Sequence, residues 1–296
     1  MPAAFDARRL RRMSAMVTTN DSASRAGLSA KFAMLCIRPY QSSSMEDTPQ
    51  IAAAVLGLLD LTRLEDDVDD GPVRALCARA GTRFGHPAAV CVYSNFIGAA
   101  RDALDQAGLS GQVAIATVAN FPDGGSDLKL ALLDAEQGIT RGADEVDLVF
   151  PWRALLDGNE AAGADLVAEC KAICGSRTLK VILESGMLTA PDADPYAVRR
   201  AGEIAINAGA DFLKTSTGKA AAGASPEAAR TMLETIRDSG RPVGFKVSGG
   251  VRTLADARQY IQIAEDVMGP GWVSPATFRI GASGLLDALL AALEQK

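Results

Sequence analysis

Short apolar runs recur along the chain, and their successive starts lie 25 to 35 residues apart. We interpret eight of these runs as strands, at 58–62, 88–93, 113–119, 145–150, 179–184, 212–217, 243–248 and 278–282. Helix-like stretches occupy most of the gaps, at 72–81, 126–141, 159–175, 194–208, 225–239, 253–268 and 284–294. Alternation of strand and helix at this spacing is typical of parallel βαβ construction.

Eight such units in the 252 residues from Met45 to Lys296 match the size of a (β/α)8 barrel, the TIM barrel of the α/β class, as a single domain. A doubly wound open sheet is the alternative, but it normally has fewer strands and often a Gly-rich loop after its first strand. Here the sequence Arg-Leu-Glu-Asp-Asp (63–67) follows that strand. Asp70, Ser225 and Thr253 stand where side chains cap helices, which supports the barrel.

Residues 1–44 differ from the rest of the chain. They carry seven basic and two acidic residues, a balance of +5 against −11 for the remainder, and show no clear periodicity. Such a segment is typical of a disordered extension or of an organelle transit peptide. A start codon assigned too early is a third explanation, because Met45 opens a sequence that resembles a natural N-terminus. We therefore place the barrel at 45–296, and expect a cytoplasmic protein unless residues 1–44 are a transit segment.

Composition narrows the function classes. The chain is 48% hydrophobic and 22% charged, which is ordinary for a globular protein, and it contains no apolar run long enough for a membrane span. Its net charge of −6 argues against binding nucleic acid through phosphate contacts. Five cysteines without a CxxC pair indicate free thiols, and His86 is the only histidine. We expect no metal and no catalytic His, so acid–base chemistry falls to Asp, Glu and Lys.

Two lysines lie inside strand-like runs of consecutive units. Lys214 follows Asp-Phe-Leu and Lys246 follows Val-Gly-Phe, although the chain has only eight lysines. Lysine is depleted in strands and is almost never buried without a partner. An amine that is partly desolvated and close to another cation loses its proton more easily, and can then form a Schiff base with a carbonyl.

Other polar residues also occur where strands should be apolar. Asp60 and Thr62 lie in the first predicted strand, Asp147 in the fourth and Lys180 in the fifth. Catalytic residues of such barrels lie at the carboxyl ends of the strands, so Asp147, Lys214 and Lys246 would form a charged cluster in the barrel mouth if all point inward. A buried structural ion pair is the alternative. Two lysines against one close aspartate are unbalanced for a structural pair, and we favour catalysis.

Glycine-rich loops predict a phosphate site. Gly218 and Lys219 follow the sixth strand, Gly249 and Gly250 follow the seventh, and residues 281–284 join the eighth to a helix. Glycine lets the backbone approach an anion, and a helix N-terminus attracts it. Barrels often bind phosphate after strands 7 and 8.

These segments together resemble the deoxyribose-phosphate aldolases. The matching sequences are LDLTRLEDD (59–67), ATVANFPDGG (116–125), GADEVDLVFPWRALLDGN (142–159), LKVILESG (179–186), AGADFLKTSTGK (208–219), GFKVSGGVRT (244–253) and RIGASGLL (279–286). The likeness extends over about residues 50–290. It implies a (β/α)8 lyase that reversibly cleaves 2-deoxy-D-ribose 5-phosphate to glyceraldehyde 3-phosphate and acetaldehyde, in deoxyribonucleoside catabolism. It also implies no metal or organic cofactor, a sugar-phosphate substrate, and a homo-oligomer, a dimer or larger.

The resemblance also assigns roles. It implies Lys214 as the Schiff-base lysine, Lys246 as the neighbour that depresses its pKa, and Asp147 as the acid–base residue that works through water. Substrate contacts are implied or expected for Asp60, Thr62, Cys91, Lys180, Gly218, Lys219, Gly249, Gly250, Gly281 and Ser283, of which the last six stand where the family holds phosphate.

Three features depart from the family. Gly284 stands where many members have a second serine, the chain ends without the tyrosine-bearing tail of some members, and residues 1–44 match no family motif. The first two bear on phosphate affinity and rate. Two alternatives stay open: a lysine-dependent barrel lyase for another sugar phosphate, and a non-catalytic sugar-phosphate sensor. The retention of Lys214, Lys246 and Asp147 argues against the sensor.

Overall fold

The computed structural model of the chain describes residues 48–190 and 194–294. The predictions for residues 1–44 therefore lie outside the described residues. The strands are β1 Leu59–Arg63, β2 Ala89–Val92, β3 Ala114–Ala119, β4 Glu145–Val149, β5 Thr178–Ile182, β6 Phe212–Lys214, β7 Gly244–Ser248 and β8 Phe278–Ala282. The helices are α1 Thr48–Leu58, α2 Gly71–Ala80, α3 Ile97–Gln106, α4 Leu128–Thr140, α5 Trp152–Leu156, α6 Glu160–Cys174, α7 Ser185–Leu188, α8 Ala197–Asn207, α9 Pro226–Ser239, α10 Leu254–Met268 and α11 Leu285–Glu294.

All eight strands run parallel, and β8 pairs with β1, so the sheet closes into a barrel in chain order. The predicted (β/α)8 fold is confirmed. The main apolar core lies between the sheet and the surrounding helices, where strands contribute residues such as Leu61, Ile115 and Phe245. Strands buried on both faces give nearly continuous apolar runs, which is why the sequence showed them clearly. Among the described residues, no helix is both long and apolar enough to cross a bilayer.

The inner face of the barrel is divided. On β2 and β3 it is apolar, with a small cluster that includes Cys91, Ala116 and Val118. The remaining strands place charged side chains there, and these are described below. Such charges interrupt the apolar runs at single positions, and they survive burial only because they lie next to one another.

Several elements differ from the sequence predictions: the short helices α5 and α7 were not predicted, and strand β6 and helix α3 differ for reasons that the structure shows. Strand β6 ends at Lys214, earlier than predicted. Thr215 still donates its N–H to the Lys246 carbonyl at 3.0 Å, but the Thr217 N–H donates to a side chain, that of Glu184. Helix α3 was missed: its buried positions include two alanines, Ala100 and Ala103, whose small side chains weaken the apolar periodicity.

Of the three predicted helix caps, two are confirmed and one is wrong. Ser225 and Thr253 accept N–H bonds from the first turns of α9 and α10, at 3.1 Å in each case, as predicted. The prediction for Asp70 was wrong, because its carboxylate instead pairs with Arg74 at 2.8 Å and caps nothing. At α10 the cap is reciprocal: the Asp256 carboxylate accepts the Thr253 N–H at 2.9 Å.

Replacement of Thr253 by alanine is expected to lower the free energy of unfolding by about 1 kcal/mol, because it removes one half of this capping box. Urea unfolding monitored by circular dichroism measures the change. Thr231→Ala is the control, since the Thr231 hydroxyl bonds only within its own helix, to the Glu227 carbonyl, and we expect a change within about 0.5 kcal/mol. Equal effects of the two substitutions would contradict the capping role.

Candidate active site

Strand register places three cations in one row across the inner face of the barrel. Lys214 of β6 lies opposite Lys246 of β7, which lies opposite Arg279 of β8. Paired residues of parallel strands point to the same face, so the three side chains converge inside the barrel. Asp147 of β4 is paired in the same way with Lys180 of β5, one layer closer to the amino ends of the strands.

Three carboxylates lie between these cations. The Lys214 and Lys246 amines each donate to Asp147 Oδ2 at 2.8 Å, and Lys180 donates to Asp147 Oδ1 at 3.0 Å. Lys246 also donates to Asp60 Oδ2 at 2.6 Å. Asp147 therefore touches all three lysines, and its position joins them into one buried network.

On the side of β8, Arg279 joins the carboxylates of Asp60 and Glu145 and completes the network. The Arg279 guanidinium donates to Asp60 at 2.8 Å and to Glu145 at 3.1 Å. Glu145 also accepts from Lys180, whose amine lies 3.7 Å from Asp60 as well. We call the seven residues Asp60, Glu145, Asp147, Lys180, Lys214, Lys246 and Arg279 the charge network.

The charge network is unbalanced by one positive charge when every group is ionised, because four cations face three carboxylates. Lys180 contacts three carboxylates and Lys246 and Arg279 two each, whereas Lys214 contacts only Asp147. Loss of one proton from Lys214 therefore neutralises the network at the smallest electrostatic cost. Lys214 is also the only lysine of the network with exposed side-chain surface, 4% against 0%.

The pKa directions agree with this geometry. Burial lowers the pKa of Lys214, the nearby Lys246 ammonium lowers it further, and Asp147 opposes both without overcoming them. Burial would also lower the pKa of Lys246, but the carboxylates of Asp147 and Asp60 outweigh it and raise that pKa. Burial alone would raise the pKa of Asp147, yet the three lysines hold it well below its ordinary value. The arrangement provides one amine that loses its proton readily beside one that stays charged.

The substrate-binding residues predicted from the sequence lie in different places. Asp60 and Lys180 are completely buried inside the charge network, so their placement favours holding Asp147 and Lys246 over direct contact with a substrate. The Thr62 hydroxyl donates to the Asp60 carbonyl at 2.9 Å. Cys91 lies on the inner face of β2 near the lysines, and burial raises the pKa of its thiol to about 11.

The predicted phosphate-binding residues lie mainly in the loops after β6, β7 and β8. Gly218, Gly249 and Gly250 have φ of +79°, +86° and +110°, values that favour glycine. The Lys219 amine lies 3.3 Å from Glu65, in the loop after β1. Ser283 is exposed just before α11. These loops stand at the carboxyl ends of the strands, above Lys214 and Lys246.

Gly281 differs from the other predicted phosphate residues, because it lies within β8 and not in a loop. A Cβ atom at Gly281 would stand 3.0 Å from Lys246 Cε. Its missing side chain therefore leaves room for the buried lysine.

Three residues of the site were not assigned a role from the sequence. Glu145 and Arg279 complete the charge network, and a signal existed for both: each is a charge inside a predicted strand, and Glu145 shares its face with Asp147 two positions later. Glu184 follows β5, is 2% exposed, and burial raises its pKa above the ordinary value. The same signal existed for Glu184, the charged last residue of the predicted strand at 179–184, but its bonds to the following loop depend on tertiary structure.

Replacement of Arg279 by methionine is expected to lower the free energy of unfolding by about 2–3 kcal/mol, because it removes two charge-assisted hydrogen bonds from buried carboxylates. Asp60 keeps Lys246 as a partner and Glu145 keeps Lys180, so neither carboxylate is left unpaired. Arg101→Met is the control: Arg101 pairs with Asp144 at 2.9 Å, but both side chains are about a third or more exposed. That loss should stay within about 1 kcal/mol. Urea unfolding of both variants tests the difference, and similar losses would show that the network contributes little.

The fold and the site together define a class of protein, a barrel enzyme with a buried lysine suited to carbonyl chemistry. The chain belongs to the DeoC/LacD family of aldolases, whose family model matches residues 54–289. It is therefore an aldolase, and the sequence-based identification of its family is confirmed.

Solved structures resemble this one over most of their length. The apo form of a protein from Toxoplasma gondii ME49, assigned as a deoxyribose-phosphate aldolase, matches with a TM-score of 0.74 and 26% identity over 84% of this chain and 98% of that one. A protein from Coccidioides immitis with the same assignment matches with a TM-score of 0.67 and 25% identity over 88% and 93%. The tetrameric deoxyribose phosphate aldolase of Aeropyrum pernix, at 23% identity, shares the fold with a TM-score of 0.62 over 85% and 97%.

Proposed function

We propose that this aldolase reversibly cleaves 2-deoxy-D-ribose 5-phosphate to D-glyceraldehyde 3-phosphate and acetaldehyde, through a Schiff base on Lys214. The observation that carries the proposal is the position of Lys214 as the surplus cation of a buried network. It has one carboxylate contact, a lowered pKa and the only exposed lysine surface in that network. A neutral amine at the barrel mouth is the nucleophile that the first step requires.

The reaction begins when the Lys214 amine adds to the C1 aldehyde of the open-chain sugar. Loss of water gives an iminium, whose positive charge accepts the electron pair of the C2–C3 bond as that bond breaks. A base removes the C3 hydroxyl proton in the same step, and glyceraldehyde 3-phosphate leaves. The acetaldehyde enamine that stays on Lys214 is protonated at C2 and hydrolysed, which restores the free amine.

Asp147 and Lys246 are the groups that we propose for proton transfer, through a water molecule. The Asp147 carboxylate lies 2.8 Å from both amines, and Lys246 keeps its proton because Asp147 and Asp60 raise its pKa. Lys246 therefore supplies a permanent positive charge beside Lys214. That charge favours the neutral amine before the addition step, and the fixed carboxylate stabilises the iminium after it.

The phosphate group of the substrate is assigned to the loops after β6, β7 and β8. Gly218, Gly249 and Gly250 allow close approach of the backbone, and Lys219 supplies a positive charge at the rim. Ser283 precedes the N-terminus of α11, where the helix dipole favours an anion. The lysine and the phosphate loops lie on the same side of the barrel, as the open-chain substrate requires.

A substrate comparison tests this proposal. The wild-type protein should cleave 2-deoxyribose 5-phosphate, with glyceraldehyde 3-phosphate measured by a coupled NADH assay, far faster than the phosphates of fructose or ketodeoxygluconate. Faster cleavage of either competitor would show that the protein is a lyase for another sugar phosphate. Binding of 2-deoxyribose 5-phosphate without turnover, retained in Lys214→Ala, would assign the non-catalytic sensor.

We also propose a homo-oligomer. Support comes from the tetrameric aldolase of Aeropyrum pernix, which shares this fold. Light scattering after size-exclusion chromatography tests it, and a single mass near 30.8 kDa would contradict it.

A further inference from the structure

Glu184 is held in a backbone conformation that side chains rarely adopt. Its φ is +55° and its ψ is +52°, and Asn120 is the only other residue except glycine with a positive φ in the parts of the chain that the structure describes. A left-handed conformation at such a residue costs free energy and persists only where its surroundings impose it. Glu184 is also almost completely buried, so the loop after β5 carries both strain and a buried carboxyl group.

The carboxyl group of Glu184 bonds the chain just beyond Lys214. Its two oxygens lie 3.2 and 3.4 Å from the Thr217 N–H. The residues on either side of Glu184 donate their backbone N–H groups to the carbonyls of Lys214 and Thr215, at 2.8 Å in each case. The Glu184 side chain thus continues the pairing between these segments where strand β6 has ended, and it fixes the first residues of the following loop.

That loop is packed too tightly to shift on its own. A Cβ atom at Gly186 would overlap the Ala222 carbonyl, and one at Gly223 would overlap the Gly249 carbonyl. The Gly249 carbonyl also accepts the N–H of Ala224 at 2.9 Å. The segments after β5, β6 and β7 therefore form one interlocked unit.

The position of Thr217 determines the positions of two predicted phosphate residues, Gly218 and Lys219. The Thr217 hydroxyl accepts the Lys219 N–H at 3.1 Å, and Gly218 lies between these two residues, beside the backbone of Gly249. A displacement of Thr217 would move Gly218 and Lys219 together.

We propose that Glu184 is a positioning residue for the phosphate half of the substrate, and that it acts by fixing Thr217 so that Gly218 and Lys219 face the anion beside Gly249 and Gly250. This inference rests on the proposed function. The Thr217 N–H requires only a hydrogen-bond acceptor at Glu184. A negative charge there is not needed and would repel the phosphate. Burial favours the neutral form of Glu184, which fits that requirement.

Two substitutions separate the acceptor from the charge. Glu184→Gln keeps an oxygen that accepts the Thr217 N–H, and Glu184→Ala removes it. The readout is kcat/KM for 2-deoxyribose 5-phosphate divided by kcat/KM for unphosphorylated 2-deoxyribose. We expect Glu184→Ala to lower this ratio about tenfold, through KM, and Glu184→Gln to keep it within about threefold of wild type.

Asp134→Ala is the matched control. The Asp134 carboxylate accepts the backbone N–H of Asn120, the other left-handed residue, at 3.0 Å. The substitution therefore removes the same kind of bond from the loop after β3, and the ratio should not change. If Glu184→Ala does not fold, Glu184→Asp takes its place, because it withdraws the carboxyl group from Thr217 by one methylene.

Three results would overturn the inference: an unchanged ratio in Glu184→Ala, an equal loss of kcat on both substrates, or an equal ratio loss in Glu184→Gln. Binding of inorganic phosphate, measured as a thermal shift, needs no turnover and should weaken in Glu184→Ala alone. If wild type cleaves neither sugar, the proposed function fails, and the phosphate measurement still decides the role of Glu184. If wild type cleaves both and the ratio stays constant, only the role of Glu184 fails.

Discussion

Replacement of Lys214 by alanine is expected to lower kcat by about 10⁴-fold or more, because no other lysine of the charge network can form the imine. Lys246 and Lys180 cannot substitute for it. Both are completely buried, and carboxylates hold the pKa of each above its ordinary value. The coupled assay for glyceraldehyde 3-phosphate, with purified variant in large excess over the wild-type amount, measures the residual rate.

The Lys214→Ala protein should remain folded, which makes the activity loss interpretable. Removal of the Lys214 amine leaves three cations against three carboxylates in the charge network, so no buried charge loses its only partner. Lys129→Ala, at an exposed position of α4, is the control and should keep wild-type activity. Turnover of folded Lys214→Ala within tenfold of wild type would exclude the Schiff-base mechanism.

Replacement of Lys246 by leucine is expected to lower kcat/KM about 10²- to 10³-fold at neutral pH. Burial and the Lys246 ammonium both lower the pKa of Lys214, and Asp147 raises it. Without Lys246, the effect of Asp147 is opposed by burial alone, so the pKa of Lys214 rises. A smaller fraction of the Lys214 amine is then neutral at a given pH. The loss should therefore shrink as pH increases, and the acid limb of the pH–rate profile should move to higher pH.

Arg279→Met is the matched control for this pH shift. Arg279 stands next to Lys246 in the same register row and shares Asp60 with it, but it contacts neither Asp147 nor Lys214. Its loss should move the acid limb less than the loss of Lys246. A Lys246→Leu profile that is lowered equally at every pH would show that Lys246 does not set the pKa of Lys214.

The barrel could be predicted from the sequence because its strands are buried on both faces. Such strands produce apolar runs that alternate with helices at regular intervals. Eight strand–helix units in about 250 residues are compatible with few folds other than a (β/α)8 barrel. The errors occurred where tertiary contacts decide the local structure. Strand β6 is shorter than predicted, and in the predicted extension the Thr217 N–H bonds the Glu184 side chain. Asp70 pairs with Arg74 in preference to capping α2.

The central residues of the site were visible in the sequence because a charge inside an apolar strand is rare. Lys214, Lys246 and Asp147 were singled out on that ground, and the structure brings them together at 2.8 Å. Their catalytic roles stay predictions. Which charge neighbours which depends on barrel closure, so Lys180 was expected at the substrate, whereas it lies beneath Asp147. Glu184 was visible as the charged end of a predicted strand, but its bond to Thr217 depends on loop contacts that no local pattern encodes.

Borohydride trapping with 2-deoxyribose 5-phosphate, followed by peptide mass spectrometry, tests whether Lys214 forms a Schiff base with the substrate. Borohydride reduces an imine to a stable secondary amine, so the modified lysine records where the substrate was bound covalently. We expect a reduced adduct on Lys214, none on Lys246 or Lys180, and none in Lys214→Ala. An adduct on another lysine, or no adduct from a folded protein that cleaves the substrate, would contradict this expectation.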